Sequence, residues 1–221
     1  MSNGLENNAI LTPLQKKIMR ILFSDSWFHS VFFLTGGTAL SAYYLQHRLS
    51  EDLDFFTHET FPPHLPNTVR HLLSPATTGL ELITQAPTFL RFVADDSLKL
   101  DFAVDTAARF GLPAMFDGIR VDNEENIAVN KVCTILSRLD PKDYVDLFFL
   151  IRDRNYSIDD LLKKGRDKDG GLEPFLWTQL IADCENFTLL PKMLKSLALD
   201  ELKQFYRQLR KEVVRKLKPR S

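Results

Sequence analysis

The run Leu34-Thr35-Gly36-Gly37-Thr38-Ala39-Leu40, continued by Arg48-Leu49-Ser50-Glu51-Asp52-Leu53-Asp54-Phe55-Phe56, constrains this chain more than any other stretch. Val31 to Leu34 is a short apolar segment suited to a buried strand. Gly36-Gly37 ends it, because two residues without Cβ allow a tight turn and a close backbone approach to a ligand. Thr38 is expected to cap the helix that follows, in which Leu40, Tyr43, Tyr44 and His47 recur at helical spacing. A helix that starts at a glycine turn directs its N–H groups and positive dipole end at that turn, which suits a phosphate.

Asp52 and Asp54 turn this phosphate cradle into a nucleotide site. Residues two apart on a strand face the same way, so both carboxylates point to one side while Leu53 and Phe55 point to the core. Two carboxylates that close repel each other unless a divalent cation neutralises them. Mg²⁺ favours one or two carboxylates completed by substrate phosphates.

The remainder of the chain reads as a sheet followed by helices. Residues 1–10 are polar and expected to be mobile, and Thr12-Pro13 opens a helix with Leu14, Ile18, Ile21 and Leu22 on one face. Thr57 to Pro66, with His58, His64 and three prolines, reads as a solvated loop, since its histidines fit no zinc spacing. A short helix over 67–74 and strands over 80–84, 88–94 and 97–104 follow, with Asp95-Asp96 as a hairpin turn. In the last of these strands Lys99, Asp101, Ala103 and Asp105 share one face. Ile119 to Val121 suits one more strand, and Asn123 is placed to cap a helix that carries Lys131 and Arg138. Lys163 to Gly171 is polar and glycine-punctuated, the best place for a hinge. Helices near 172–184 and 199–218 are expected to form a C-terminal bundle. The last has an apolar stripe of Leu202, Phe205, Leu209, Val213 and Leu217. Its cations run from Lys203 through Arg207, Arg210, Lys211, Arg215, Lys216 and Lys218 to Arg220.

Bulk properties narrow the class. A chain of 221 residues with 44% hydrophobic content and 17 Phe can bury one core plus a helical extension. Its net charge of −1 gives no global attraction to nucleic acid, so RNA binding would need a local patch such as the last helix. Cys133 and Cys184 are too few and too far apart for a metal site and read as buried thiols of a reducing cytoplasm. No apolar run is long enough to span a membrane, and the N-terminus lacks a signal-peptide pattern, so a cytoplasmic location is expected.

The glycine and aspartate motif resembles the signature of the AbiEii/AbiGii toxin nucleotidyltransferases, a branch of the DNA polymerase β-like superfamily. A second block supports it, Lys131 followed by Arg138, Asp140, Lys142-Asp143-Tyr144 and Asp146-Leu147, and the resemblance covers about residues 28–152. It implies an α+β nucleotidyltransferase fold, a mixed sheet flanked by helices and followed by a C-terminal helical bundle. The core would take residues 1–152 and the helical region 153–221. It also implies a nucleotidyl group moved from an NTP, with Mg²⁺ or Mn²⁺ as cofactor. Gly36, Gly37, Thr38, Ser50 and Arg48 would contact the nucleotide, with Arg48 alternatively clamping Asp52. Asp52 and Asp54 would bind metal, and Asp101, or failing it Asp105, would be the third carboxylate that completes the metal site. Lys131 would contact the phosphates and Asp143, or its competitor Asp146, would support the site. The implied acceptor is RNA, at the 3′ end of tRNA, and the implied partner is an antitoxin that is also a DNA-binding regulator. The alternatives are a small hydroxylated acceptor and a module that binds nucleotide or a partner without turnover.

Overall fold

A computed structural model describes residues 5–217, and in it seven strands form one mixed sheet. They are β1 (Phe32–Thr35), β2 (Leu53–Thr57), β3 (Leu80–Ala86), β4 (Phe89–Ala94), β5 (Leu98–Val104), β6 (Ala114–Phe116) and β7 (Ile119–Val121). Their order across the sheet is β3-β4-β5-β2-β1-β7-β6, which puts the motif strand β2 in the interior of the sheet. β2 runs antiparallel to β1 and parallel to β5, so both of its edges are paired. The expected Asp95-Asp96 turn is present, both residues adopting the left-handed conformation that closes the β4–β5 hairpin.

The chain divides into two compact units. The first takes the residues up to Gln46, together with Ser50–Thr106 and Gly111–Asn123, and contains the whole sheet. The second takes His47–Leu49, Ala107–Phe110 and the residues from Glu124 onward.

In the first unit the helices are α1 (Pro13–Ser24), α2 (Ser26–Val31), α3 (Gly36–Ala39), which continues as a π-helix over Leu40–Leu45, and α4 (Leu65–Leu73). Thr12 and Gln15 cap α1 reciprocally, each side chain bonding the other's backbone N–H. The core is aromatic: Phe28 stacks on Phe32 at 4.5 Å and Phe55 on Phe102 at 5.2 Å, with Phe23 and Phe92 against their edges. Such pairs add about 0.5–1.5 kcal/mol beyond the burial of their area. The expectation of a mobile N-terminus is corrected over the described part. Leu5, Asn8, Ile10 and Leu11 are buried, and Asn8 Nδ2 donates to the Ala42 carbonyl at 2.7 Å. A side-chain amide with a buried partner orders a segment that composition alone marks as free.

In the second unit the helices are α5 (Glu124–Ser137), α6 (Pro141–Arg154), α7 (Ile158–Lys168), α8 (Pro174–Leu180), which continues as a 3₁₀ turn over Ile181–Asn186, and α9 (Leu199–Leu217). Asp140 caps α6 and Ser157 caps α7, while Asn155 ends α6 in the left-handed conformation. The expected hinge at Lys163–Gly171 lies largely inside α7. Gly165 is buried there because a Cβ would sit 2.7 Å from Leu172 Cδ1, so this glycine serves close packing and not flexibility. α9 buries Leu202, Tyr206, Leu209 and Val213, whereas Leu217 is exposed, a one-residue shift of the expected stripe from Phe205 to Tyr206. Tyr206 donates to the Tyr144 carbonyl at 2.7 Å, a bond that Phe205 could not make. Lys218 and Arg220 lie outside the described residues. Both thiols are free, and burial pushes Cys133 up to about 11 and Cys184 up to about 12. Among the described residues no helix is long and apolar enough to cross a membrane.

Candidate active site

β1 delivers the chain into Gly36, whose φ of +72° is the left-handed conformation that favours glycine. Space imposes the same choice, since a Cβ there would collide with the carboxylate of Asp54. The helix therefore starts at Gly36 itself with Thr35 as its cap residue, three positions earlier than the sequence suggested. Thr38 is not the cap. It is fully buried within the first turn, and its hydroxyl donates to the carbonyl of Asp52, tying the glycine turn to the acidic strand. The helix also ends earlier than expected, at Leu45, because Gln46 turns left-handed, so His47 lies outside it.

The sheet register aligns the acidic residues. Asp54 pairs with Thr35 of β1 on one side and with Asp101 of β5 on the other. Asp101 in turn pairs with Arg91 of β4. Leu53 and Phe55 are buried and Asp52 and Asp54 half-buried, the alternation expected of a strand with one face on the core. Asp105 stands four residues beyond Asp101, about 13 Å along the strand, and its N–H is bonded to the Thr57 carbonyl. Of the two candidates for a third acid, Asp101 is thus the one beside Asp54. Ser50, half-buried, leads into this strand, and its carbonyl accepts from Gln15 Nε2 at 3.1 Å.

Arg91 belongs to this cluster although the sequence reading passed over it. Its Nε and Nη2 donate to the two oxygens of Asp101 at 2.7 and 2.6 Å, a bidentate pair with the acid side chain only 14% exposed. The hydrogen bond to Asp101 raises the Arg91 pKa, with Asp52 and Asp54 adding to the effect. The signal for this pair lay in the turn. Arg91 and Asp101 stand three residues outward from Ala94 and Leu98, the residues that close the hairpin.

Among the described residues no three His, Cys, Asp or Glu side chains come together so as to hold a metal ion by themselves. Asp52 and Asp54 fit the smaller donor set of Mg²⁺, two carboxylates completed by phosphate oxygens, beside a turn where the missing Cβ of Gly36 leaves room against Asp54.

The second unit contains a different assembly. Asp146, fully buried, accepts from His47 Nε2 at 2.7 Å, from Arg48 Nε at 2.6 Å and Nη2 at 2.8 Å, and pairs with Lys131 Nζ at 2.6 Å. Asp143, also fully buried, accepts from Lys131 at 2.7 Å and from Arg138 Nε at 2.6 Å. The sequence left Asp143 and Asp146 as competitors for one supporting role, and both hold the same ammonium. The alternative of Arg48 clamping Asp52 is corrected: its guanidinium is 1% exposed and clamps Asp146, and its Nη1 donates to the Leu49 carbonyl. Backbone bonds from Leu49 to Lys192 and from Leu194 and Lys195 to His47 fix this short segment.

Charge pairing decides the protonation states of the two acids and the lysine, and burial that of the histidine. Burial acts to raise Asp146, but Arg48 and Lys131 outweigh it and hold it well below the usual carboxylate range. Asp143 is likewise held low against burial, by Lys131 and Arg138. Burial acts to lower Lys131, yet Asp146 and Asp143 keep its pKa raised. For His47 burial wins over the Asp146 contact, so its pKa is lowered and the ring donates to Asp146 while neutral. His47 and Arg138 complete a network whose partners stand up to 99 residues apart in sequence.

The family model of the nucleotidyl transferase AbiEii toxins of type IV toxin–antitoxin systems matches residues 17–220, well beyond the 28–152 covered by the recognisable motifs. An uncharacterized protein of Aquifex aeolicus (strain VF5) is 30% identical over 139 residues, 62% of this chain. The chain spans 66% of that relative's length. Among solved structures, JHP933 from Helicobacter pylori superposes with a TM-score of 0.56 at 20% identity, covering 96% of this chain and 94% of its own. MenT4, a nucleotidyltransferase toxin of Mycobacterium tuberculosis H37Rv, gives 0.52 at 14% identity, covering 97% and 89%.

Proposed function

The chain belongs to the AbiEii family of nucleotidyl transferase toxins of type IV toxin–antitoxin systems, and on that premise we propose that it transfers a nucleotidyl group from an NTP to the 3′ end of tRNA. The observation that carries the reading is the contact of Gly36 with Asp54. A turn that must be glycine, at the start of a helix, faces a carboxylate aligned with a second acid on the next strand.

In the proposed reaction the terminal hydroxyl oxygen of the RNA bonds to the α-phosphorus, its proton passes to solvent, and the bond to pyrophosphate breaks with its electron pair leaving on the pyrophosphate oxygen. Gly36, Gly37 and Thr38 receive phosphate oxygens on first-turn N–H groups, where the helix dipole favours negative charge, and Ser50 adds a hydroxyl donor. Asp52 and Asp54 hold Mg²⁺, or Mn²⁺ in its place. When bound, the ion neutralises the triphosphate and lowers the proton affinity of the attacking hydroxyl. Asp101 accepts the hydrogen bond of that hydroxyl. Lys131, by the family resemblance, is the phosphate contact, and Asp143 and Asp146 take two of the three N–H groups of its ammonium. Arg48 supports that arrangement through Asp146.

The RNA reading draws on α9. Arg207 is paired with Glu185, and Lys216 with Asp159 and Glu212, but Lys203, Lys211 and Arg215 make no ion pair among the described residues. These three supply the local positive patch that the net charge of the chain does not. A cognate antitoxin is the protein partner that this reading implies.

Incubation with total bacterial tRNA, Mg²⁺ and each labelled NTP in turn tests the proposal, with Asp52→Ala as control. Label on tRNA that requires Asp52 is expected. NTP binding without label on any RNA would move the acceptor to a small hydroxylated molecule or leave a binding module without turnover.

A further inference from the structure

We propose that the groove between α8 and α9 seats one unstacked base of a single-stranded RNA, with the cations along its edge on the flanking phosphates. The inference rests on the RNA reading of α9 and adds to it a contact with a base.

The groove lies within the second unit and has a volume of about 490 Å³, inside the roughly 300–1,000 Å³ of small-molecule sites. Its floor is apolar, formed by Ile181, Ala182, Tyr206 and Val214. The floor is also fixed, since Tyr206 is buried and its hydroxyl is bonded to the Tyr144 carbonyl at 2.7 Å. Phe175, in the first turn of α8, lines the same groove with 55% of its surface exposed. A large ring left in water beside an apolar floor favours a ligand with a flat face that covers both. Every nucleobase has such a face.

Charge separates an RNA base from a neutral apolar ligand. Lys203, Arg207 and Lys211 follow one another four residues apart on α9, a row with steps of about 6 Å, and Arg210 stands three residues after Arg207. Arg207, Arg210 and Lys211 line the groove. The acid of the lining, Glu185, is already taken by Arg207, whose Nε and Nη2 donate to its two oxygens at 2.6 and 2.9 Å. Arg210 Nη2 donates to the neutral Gln179 Oε1 at 3.1 Å. Among the described residues neither Arg210 nor Lys211 makes an ion pair, so two positive charges at the groove have no acid of this chain. A row of cations beside an exposed ring is how a protein follows a single strand, with phosphates on the charges and a base on the ring. The guanidinium of Arg210, held by Gln179, offers a second plane for stacking. An acidic helix of a partner protein would satisfy the cations, but its aliphatic side chains gain no stacking on Phe175.

Fluorescence anisotropy of a labelled short oligouridylate on the full chain, beside an abasic strand with the same number of phosphates, tests the seat without any turnover. Wild type is expected to bind oligouridylate about tenfold more tightly than the abasic strand, the size of one stacked base. Phe175→Ala is expected to bind the two alike with an unchanged salt slope, and Phe175→Trp to keep the preference. If Phe175→Ala does not fold by circular dichroism, Phe175→Leu retains apolar volume without a ring and is expected to bind the two alike. Lys211→Ala is expected to weaken both strands equally and to lower the salt slope by about 0.7. Equal binding of both strands to wild type, or a preference that survives in a folded Phe175→Ala or Phe175→Leu, would overturn the base seat and leave the RNA reading of α9 standing. Oligoglutamate of matched charge that binds as tightly as oligouridylate would overturn it in favour of an acidic protein segment. No RNA bound by wild type would remove the RNA reading and this inference with it.

Discussion

The two units treat aspartate in opposite ways. Asp54 stands half-buried on β2 with Asp52, also half-buried, just before it, and Asp101, in register with Asp54, is held by Arg91. Asp143 and Asp146 are fully buried and are met by His47, Arg48, Lys131 and Arg138. Both motifs read alike in sequence, short runs of acids next to a basic residue. Burial and cation supply separate them. A buried carboxylate whose lone pairs are filled by its own chain is a structural element. One left near solvent beside a helix start is able to take a ligand.

Asp54→Asn should have the largest effect. It keeps the shape of a half-buried side chain and removes the charge, so transfer should fall by about three orders of magnitude, as the loss of several kcal/mol of charge stabilisation requires. Urea unfolding should stay within about 0.5 kcal/mol of wild type. Full activity in the labelled-nucleotide assay would end the metal assignment.

Asp146→Ala should do the reverse, acting first on stability. It strands Arg48 and Lys131 without their shared acid, and removing one member of a buried ion network costs about 3–5 kcal/mol. A variant that unfolds at the wild-type urea concentration would show that the network is not structural. Buried Trp177, which donates to the Val132 carbonyl at 3.1 Å, reports on this unit once Trp27 is replaced by Phe.

Stability against pH sharpens the contrast. The pKa of His47 is lowered in the fold, so below 6.5 the unfolded chain gains a proton that the folded one resists, and stability falls. Asp143 and Asp146 are also lowered. Their contribution is complete above 3.8 and is lost as pH falls below that value. Lys131 is raised, so its contribution is complete below 10.5 and is lost only at higher pH. Cys133 and Cys184 are raised from 9.0, so their contribution begins to fall above that value, and unfolding free energy followed at Trp177 should be level from about 6.5 to 9 and drop on either side. His47→Gln should flatten the first part of the acid decline. An unchanged slope there would remove His47 from the network.

Arg138→Ala should cost less than about 1 kcal/mol, because the arginine side chain is 55% exposed and Lys131 remains on Asp143. The smallest effect on stability belongs to Lys211→Glu with Arg215→Glu. Unfolding should not move, while RNA binding weakens and its salt dependence becomes shallower. Binding that is unaltered in affinity and salt slope would leave α9 as packing alone.

Much of the site was legible because it is local. The alternation Asp52-Leu53-Asp54-Phe55 shows which side chains leave the core, and Gly36 shows where the turn must be. The hairpin around Asp95-Asp96 was equally readable, and it contained the Arg91–Asp101 register for anyone counting outward from the turn. Other elements were not. β6 is three residues long with Met115 largely exposed, too short for alternation to register. Gly165 looked like a hinge because close packing against Leu172 leaves no trace in composition. Thr38 looked like a cap because the left-handed turn at Gly36 starts the helix earlier than polarity suggests.

By itself the sequence determined the class of fold, the face on which Asp52 and Asp54 stand and the glycine that makes room for them, since periodicity and conformational freedom are properties of neighbouring residues. Only the tertiary structure decided which cation each acid receives. Arg48 reaches Asp146 across 98 positions and Lys131 divides itself between two acids on α6. No local pattern encodes a distance of that kind. An ion pair forms wherever packing brings two charges together away from water, and that is settled only when the chain has closed on itself.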